Sequence, residues 1–318
     1  MPLALSGIMQ CLVGVDDLGR ALALCRDTMG LHVEHDAAAD PARLAFWGVT
    51  PGVSARLVEL SCGGYPAGRL LLADFDPPAR TKVRVHDGPG PHDNGTDIGP
   101  KAIDFYVDPP MAPHYRTVLD LGFRARSAPI LHEVGDAISE EFVFWGPGGV
   151  PLLLMVGHRH SPKHMRGVFS PHGYSEVATV SVVGADVEAS RDFYGRVLGL
   201  ELLQDERTEP EFLERANELT GTPAGTPIHW LLYRGAGEPS GKILVVHFVG
   251  APAVRLHGRM RPGRLGFSLL VHACDDLDAL AARLEAAGAL VKAPREVAGR
   301  RRLLASGPNE EFFEIFAT

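Results

Sequence analysis

Apolar and polar residues along the chain follow an order that repeats four times. In residues 10–33 an apolar run ends at Val15 and is followed by Asp16-Asp17-Leu18. A stretch with apolar residues every three or four positions comes next, then Gly30-Leu31 and a second β-like run. The same order recurs at 102–125, 179–202 and 269–291. In RDFYGRVLGLEL (191–202), Phe193, Val197 and Leu198 fall on one helical face, as a helix packed on a sheet requires. An acid at the start caps each helix and a glycine stops it. Further β-runs follow, such as GTPIHWLLYR and GKILVVHFVG. The pattern predicts a βαβββ unit present four times, an α+β chain.

A longer repeat lies over the shorter one. Asp17-Leu18 matches Asp186-Val187, GRLLLADF (68–75) matches GKILVVHF (241–248), and FWGPGGVPLLLM (144–155) matches ASGPNEEFFEIF (305–316), in the same order. Such self-similarity marks duplication. It predicts two modules, 1–160 and 171–318, joined by a polar, proline-containing linker at 161–170. The length of 318 residues suits about two domains.

Composition then removes several function classes. A net charge of -8, with no basic run longer than Arg300-Arg301-Arg302, gives nucleic acid no electrostatic footing. No stretch approaches the ~18 apolar residues of a membrane span, and the N-terminus lacks the basic start of a secretory signal. Cys11, Cys25, Cys62 and Cys274 form no Cys-x-x-Cys pair, which fits reduced thiols in a cytoplasmic protein.

A duplicated βαβββ unit carrying D-[LV]-x-x-[AS]-x-x-F-Y-x-x-V-L-G-L resembles the vicinal oxygen chelate superfamily. That group includes glyoxalase I, extradiol dioxygenases, fosfomycin-resistance thiol transferases, methylmalonyl epimerase and bleomycin-binding proteins. The resemblance implies two glyoxalase-like modules, each a curved mixed sheet around a cavity, made by pairing consecutive units. It also implies metal ligands on the first and last strands of units. In this chain the first-strand positions are Gln10, Ala102, Thr179 and Leu269, and the last-strand positions are Leu153 and Glu314. Thr, Leu and Ala are not ligands for Fe(II) or Mn(II), which take imidazole and carboxylate. The reading is therefore no metal at the standard positions and no cofactor, with a divalent metal on Glu314 and His247 as the non-standard alternative.

Strand alternation selects the other candidates. Thr179, Ser181 and Val183 are expected to point into a cavity, as are Gln10, Asp104, Tyr106, Leu269, Phe312 and Glu314. In IHWLLYR, His229, Leu231 and Tyr233 form one face and Trp230 the other; the orientation of His247 is left open. The expected general base is Glu314, its pKa raised by an apolar cavity, with His229, His247 and Tyr233 as acid or oxyanion partners. Thr179, Ser181, Leu269, Phe312, Trp230, Gln10, Asp104 and Tyr106 are the expected substrate contacts. The segment 204–226 is long enough for a flap over the cavity mouth. The function expected is a lyase or isomerase acting on a small carbonyl-bearing or aromatic molecule. The alternatives are a bleomycin-resistance-like protein that sequesters a hydrophobic molecule, and a dioxygenase-like enzyme with a non-standard metal site. The partner expected is a small molecule, and a homodimer is compatible with the family.

Overall fold

The computed structural model describes residues 4–84, 95–134, 137–159 and 169–318, so most of the expected linker lies outside the described residues. Unit one consists of β1 (Gln10–Val15), α1 (Leu18–Leu22, continued by a π-helical turn at Ala23–Thr28), β2 (His32–Ala38), α2 (Pro41–Trp47), β3 (Ser54–Ser61) and β4 (Arg69–Asp76). Unit two has β5 (Gly99–Val107), α3 (Met111–Asp120), β6 (Ile130–Val134), β7 (Ala137–Trp145) and β8 (Pro151–Arg159). Unit three has β9 (Tyr174–Val183), α4 (Val187–Arg191, continued by a π-helical turn at Asp192–Val197), β10 (Glu201–Arg207), α5 (Leu213–Thr220), β11 (Ile228–Arg234) and β12 (Lys242–Phe248). Unit four has β13 (Gly266–Cys274), α6 (Leu277–Ala286), β14 (Leu290–Val297), β15 (Arg300–Ser306) and β16 (Phe312–Ala317).

Local chemistry sets the helix ends. Asp17, Asp186 and Asp276 each accept a hydrogen bond from a first-turn amide, which satisfies an otherwise orphaned donor. Unit two departs from this rule: Pro110 precedes α3 without a side-chain cap, and the Asp108 carboxylate meets His114 instead. After each helix a glycine takes positive φ, at Gly30, Gly122, Gly199 and Gly288, where a side chain would be strained.

The sheets are not assembled from consecutive units. One eight-stranded sheet runs β14-β15-β16-β13-β1-β4-β3-β2 and joins units one and four. The other runs β10-β11-β12-β9-β5-β8-β7-β6 and joins units two and three. Each first strand finds its antiparallel partner in the other half of the chain. Leu12 of β1 faces Leu269 of β13, and Asp104 of β5 faces Thr179 of β9. The expected pairing of first with second unit and third with fourth is corrected accordingly. One apolar core contains side chains of both sheets, among them Cys11, Phe105, Val180 and Leu270. All four cysteines are free and buried. No described helix is long and apolar enough to cross a membrane.

Candidate functional site

The sheet of units two and three curls around a cavity of about 180 Å³. Its wall is laid out in rows, because residues in register on neighbouring strands point to the same side. One row runs Val143-Leu153-Asp104-Thr179-Lys242 across five strands. Beside it runs Ala102-Ser181-Leu244-Leu232-Gln204, then Val183-Val246-Trp230. On the other side lies Glu141-Met155-Tyr106. All of these side chains line the cavity. The flap closes over it, with Leu219 and Thr220 at the end of α5 forming part of the wall. Leu219 packs with Ile130, Val143 and Leu153, which anchors α5 on unit two.

Several polar groups of this cavity gather around Asp104 on a wall that is otherwise largely apolar. Ser181 Oγ donates to Asp104 Oδ2 at 2.8 Å. The other oxygen, Oδ1, is buried with no hydrogen-bond partner among the described residues. Burial drives the Asp104 carboxyl up to about 7; Ser181 and Lys242 oppose the shift and Glu141 adds to it. Lys242 is driven the other way, down to about 8, also by burial, against the pull of Glu176 and Asp104. Its Nζ donates to Pro239 O at 2.6 Å and lies 5.9 Å from the Tyr106 ring centre. Ser139 donates to the Glu141 carboxylate. Trp230 presents its ring to the cavity and donates Nε1–H to Thr208 Oγ1 at 2.6 Å.

The sheet of units one and four holds Glu314, in a setting opposite to the one expected. Helix α2, entered through Asp40 as cap and Pro41, lays Arg43 and Trp47 over the concave face. Arg43 Nη2 donates to Glu314 Oε1 at 3.0 Å and to Gln10 Oε1 at 3.3 Å. The Trp47 indole and Arg302 also donate to Glu314. Burial alone would raise the Glu314 pKa, but Arg43 and Arg302 outweigh it and hold the carboxyl below its ordinary value. Glu314 is thus a locked carboxylate and not a base of raised pKa. Leu269 and Phe312 belong to the same sheet, both buried, and Phe312 lies under the Arg261 guanidinium at 3.9 Å.

His229, Tyr233 and His247 occupy a third place. They lie on the helix side of β11 and β12, because the cavity takes Trp230, Leu232, Leu244 and Val246. His229 Nε2 meets Asp205 at 2.6 Å, and Tyr233 stacks on Tyr194 with ring centres 5.2 Å apart. His247 lies against Gly184, so closely that a methyl there would clash, and burial pushes its imidazole down to about 4. The expected alliance of these three side chains with Glu314 is corrected: they are on a different sheet. Sequence reasoning missed Lys242, Glu141 and Ser139 in the cavity, and Arg43, Trp47 and Arg302 around Glu314. The register of Lys242 with Thr179, two residues before Leu244, was the available signal for the first.

The model of the glyoxalase/bleomycin resistance protein/dioxygenase superfamily matches residues 176–315. This stretch, less than half of the 318 residues, is what the chain shares with the superfamily in sequence. The sequence match lies in units three and four, while likeness of fold extends over nearly the whole chain. A glyoxalase I variant from Zea mays superposes with a TM-score of 0.62 at 13% identity, covering 98% of this chain and 93% of that one. A provisionally assigned dioxygenase from Bacillus subtilis gives 0.60 at 13%, covering 99% and 86%. At such identity the likeness is one of fold. No curated protein sequence matches the chain.

The superfamily's metal positions can now be tested on their side chains. Glu314 pairs with Val271, two residues after Leu269, and Leu153 pairs with Asp104, two residues after Ala102. By the same spacing the remaining last-strand positions are Leu71, opposite Leu12, and Leu244, opposite Ser181. One set is therefore Ala102, Leu153, Thr179 and Leu244, which offers a single weak oxygen donor. The other is Gln10, Leu71, Leu269 and Glu314, with two guanidinia on its only carboxylate. Neither set fits a divalent metal. Glu314 and His247 stand on separate sheets, so the non-standard pair does not form either. Among the described residues no three His, Cys, Asp or Glu side chains gather as a metal site would need.

Proposed function

We propose that the chain is an isomerase- or lyase-type enzyme acting on a small, largely apolar carbonyl compound in the cavity of units two and three, with Asp104 as general base. The observation that supports this reading is the buried Asp104 Oδ1, which has no partner among the described residues. Leaving a buried acceptor unsatisfied costs about 1–3 kcal/mol, a penalty that a purely apolar binding chamber has no need to carry. A base is most effective when its pKa lies near the working pH, and burial drives Asp104 to about 7. Ser181 holds one carboxyl oxygen and leaves the other without a hydrogen bond among the described residues, on a residue that lines the chamber.

Asp104 Oδ1 takes a proton from the carbon next to the substrate carbonyl. The electron pair of that C–H bond moves onto the carbonyl oxygen, forming an enolate. The positive charge of Lys242, in the same row of side chains, lowers the energy of that oxyanion in a medium of low dielectric. The Asp104 carboxylic acid then returns the proton to that α-carbon as the carbonyl re-forms. In the lyase case the enolate pair instead makes the α–β double bond as the β-bond to the leaving group breaks, and the proton goes to that group. Trp230 and the aliphatic wall favour an aromatic or branched substrate body.

The test is exchange of the α-proton of small aryl α-hydroxyketones into D2O, followed by NMR. Wild type is expected to catalyse exchange, and Asp104→Asn to be slower by about a hundredfold or more with ligand binding retained. Equal exchange in both proteins removes Asp104 as the base. Tight one-to-one binding with no exchange in wild type replaces the enzyme with a sequestering protein, which the apolar lining also favours.

A further inference from the structure

The concave face of the sheet of units one and four carries a second chamber, open beside the Glu314 cluster, with a volume of about 380 Å³. Arg43, Arg69, Arg300 and Arg302 line it, with Gln10 and Glu59. Two carboxylates answer these four guanidinia. Glu59 accepts from Arg69 Nη1 at 2.6 Å, and Glu314 is shared between Arg43 and Arg302. The Glu34 carboxylate also acts on Arg69, so one positive charge is left over. Arg302 and Arg300 also flank the Phe316 ring, at 5.8 and 4.9 Å, so aromatic surface holds their planes at the chamber wall.

Guanidinia crowded this way repel one another. Burial, Arg43 and Arg300 all disfavour the charged form of Arg302, and Glu314 alone pulls the other way. The arrangement is stable only while carboxylates, or an ion from solvent, offset the charge. Guanidinium forks match planar and tetrahedral oxyanions with paired hydrogen bonds. The first-strand position Gln10, which in the superfamily would face a cation, here lines a chamber of net positive sign.

We infer that this chamber is a binding site for a small oxyanion, a dicarboxylate or a phosphate group, separate from the cavity of units two and three. The arginines come from α2, β4 and β15, so the site spans both halves of the chain. Arg300 is exposed and has no ion-pair partner among the described residues, which makes it the arm that closes on the anion.

The experiment is calorimetric titration of the full chain with inorganic phosphate and, separately, with malonate, at fixed ionic strength made up with chloride. At least one of the two is expected to bind with one site per chain, and the stronger names the source of the oxyanion. Arg300→Gln is expected to weaken that binding about tenfold, the scale of one charge-assisted contact. Glu59→Gln frees the charge of Arg69 and is expected to tighten it. The opposite signs separate a binding effect from general damage to the fold. Absence of binding by both anions at millimolar concentration overturns the site, as does a shift of both variants in the same direction.

Discussion

Glu314 has two guanidinia and an indole N–H on its oxygens, whereas Asp104 has one serine hydroxyl. Both carboxyls are buried on a concave face, and the neighbours alone separate a fixed anion from a titrating acid. Catalysis requires Asp104 deprotonated and Lys242 protonated. Turnover is therefore expected to rise with pH through about 7 and fall above about 8, a narrow bell in the pH–rate profile. A profile flat from pH 6 to 9 excludes this pair. Glu314→Gln removes the charge that holds Arg43 and Arg302 in the protein. Breaking a buried ion pair from one side typically costs about 3–5 kcal/mol, and urea denaturation is expected to show a loss of that size.

At the scale of elements, each concave face receives one inserted helix, and the two helices do opposite things. Helix α2 drives Arg43 and Trp47 into its face, and α5 roofs its face and leaves a chamber. The roof ends at Gly221, whose φ is 70° and where an added Cβ would come within 2.3 Å of Arg126 Nη1. Gly221→Ala is expected to destabilise by about 1–2 kcal/mol from the left-handed backbone and to push Arg126 off the cavity wall. Gly225→Ala is its control, since φ is 77° there but nothing lies within 4 Å. Ligand binding is expected to weaken in the first variant and not in the second. The helix stops and the inward set Thr179, Ser181 and Val183 were legible in the sequence because local spacing decides them. The face of IHWLLYR was not: β11 is buried on both sides, so alternation carries no label for cavity or helix. The clamp on Glu314 was also hidden, since Arg43 stands 271 residues away in the chain. The pairing of units was illegible for another reason: four similar repeats offer the same edges to one another.

At the scale of the molecule, the two halves of the chain depend on each other. Residues 4–159 alone would leave β1 and β5 without their antiparallel partners, and 169–318 alone would leave β9 and β13. Expressed separately, each half is expected to lack a cooperative thermal transition by circular dichroism. Mixed, they are expected to recover one and to elute together on size exclusion. Two independently folding halves would contradict the sheet order. The order also gives synthesis a direction. Asp104 meets Thr179 within the next stretch of chain to leave the ribosome, but Leu12 must wait for Leu269, near the C-terminus. Closing long loops is slow, and unpaired edges are exposed to aggregation meanwhile. The sheet of units two and three can thus complete while the sheet of units one and four is still half translated. Of the described strands, β1 is made early and is among the last to be covered, so unit one is the part most exposed to wrong pairing during synthesis.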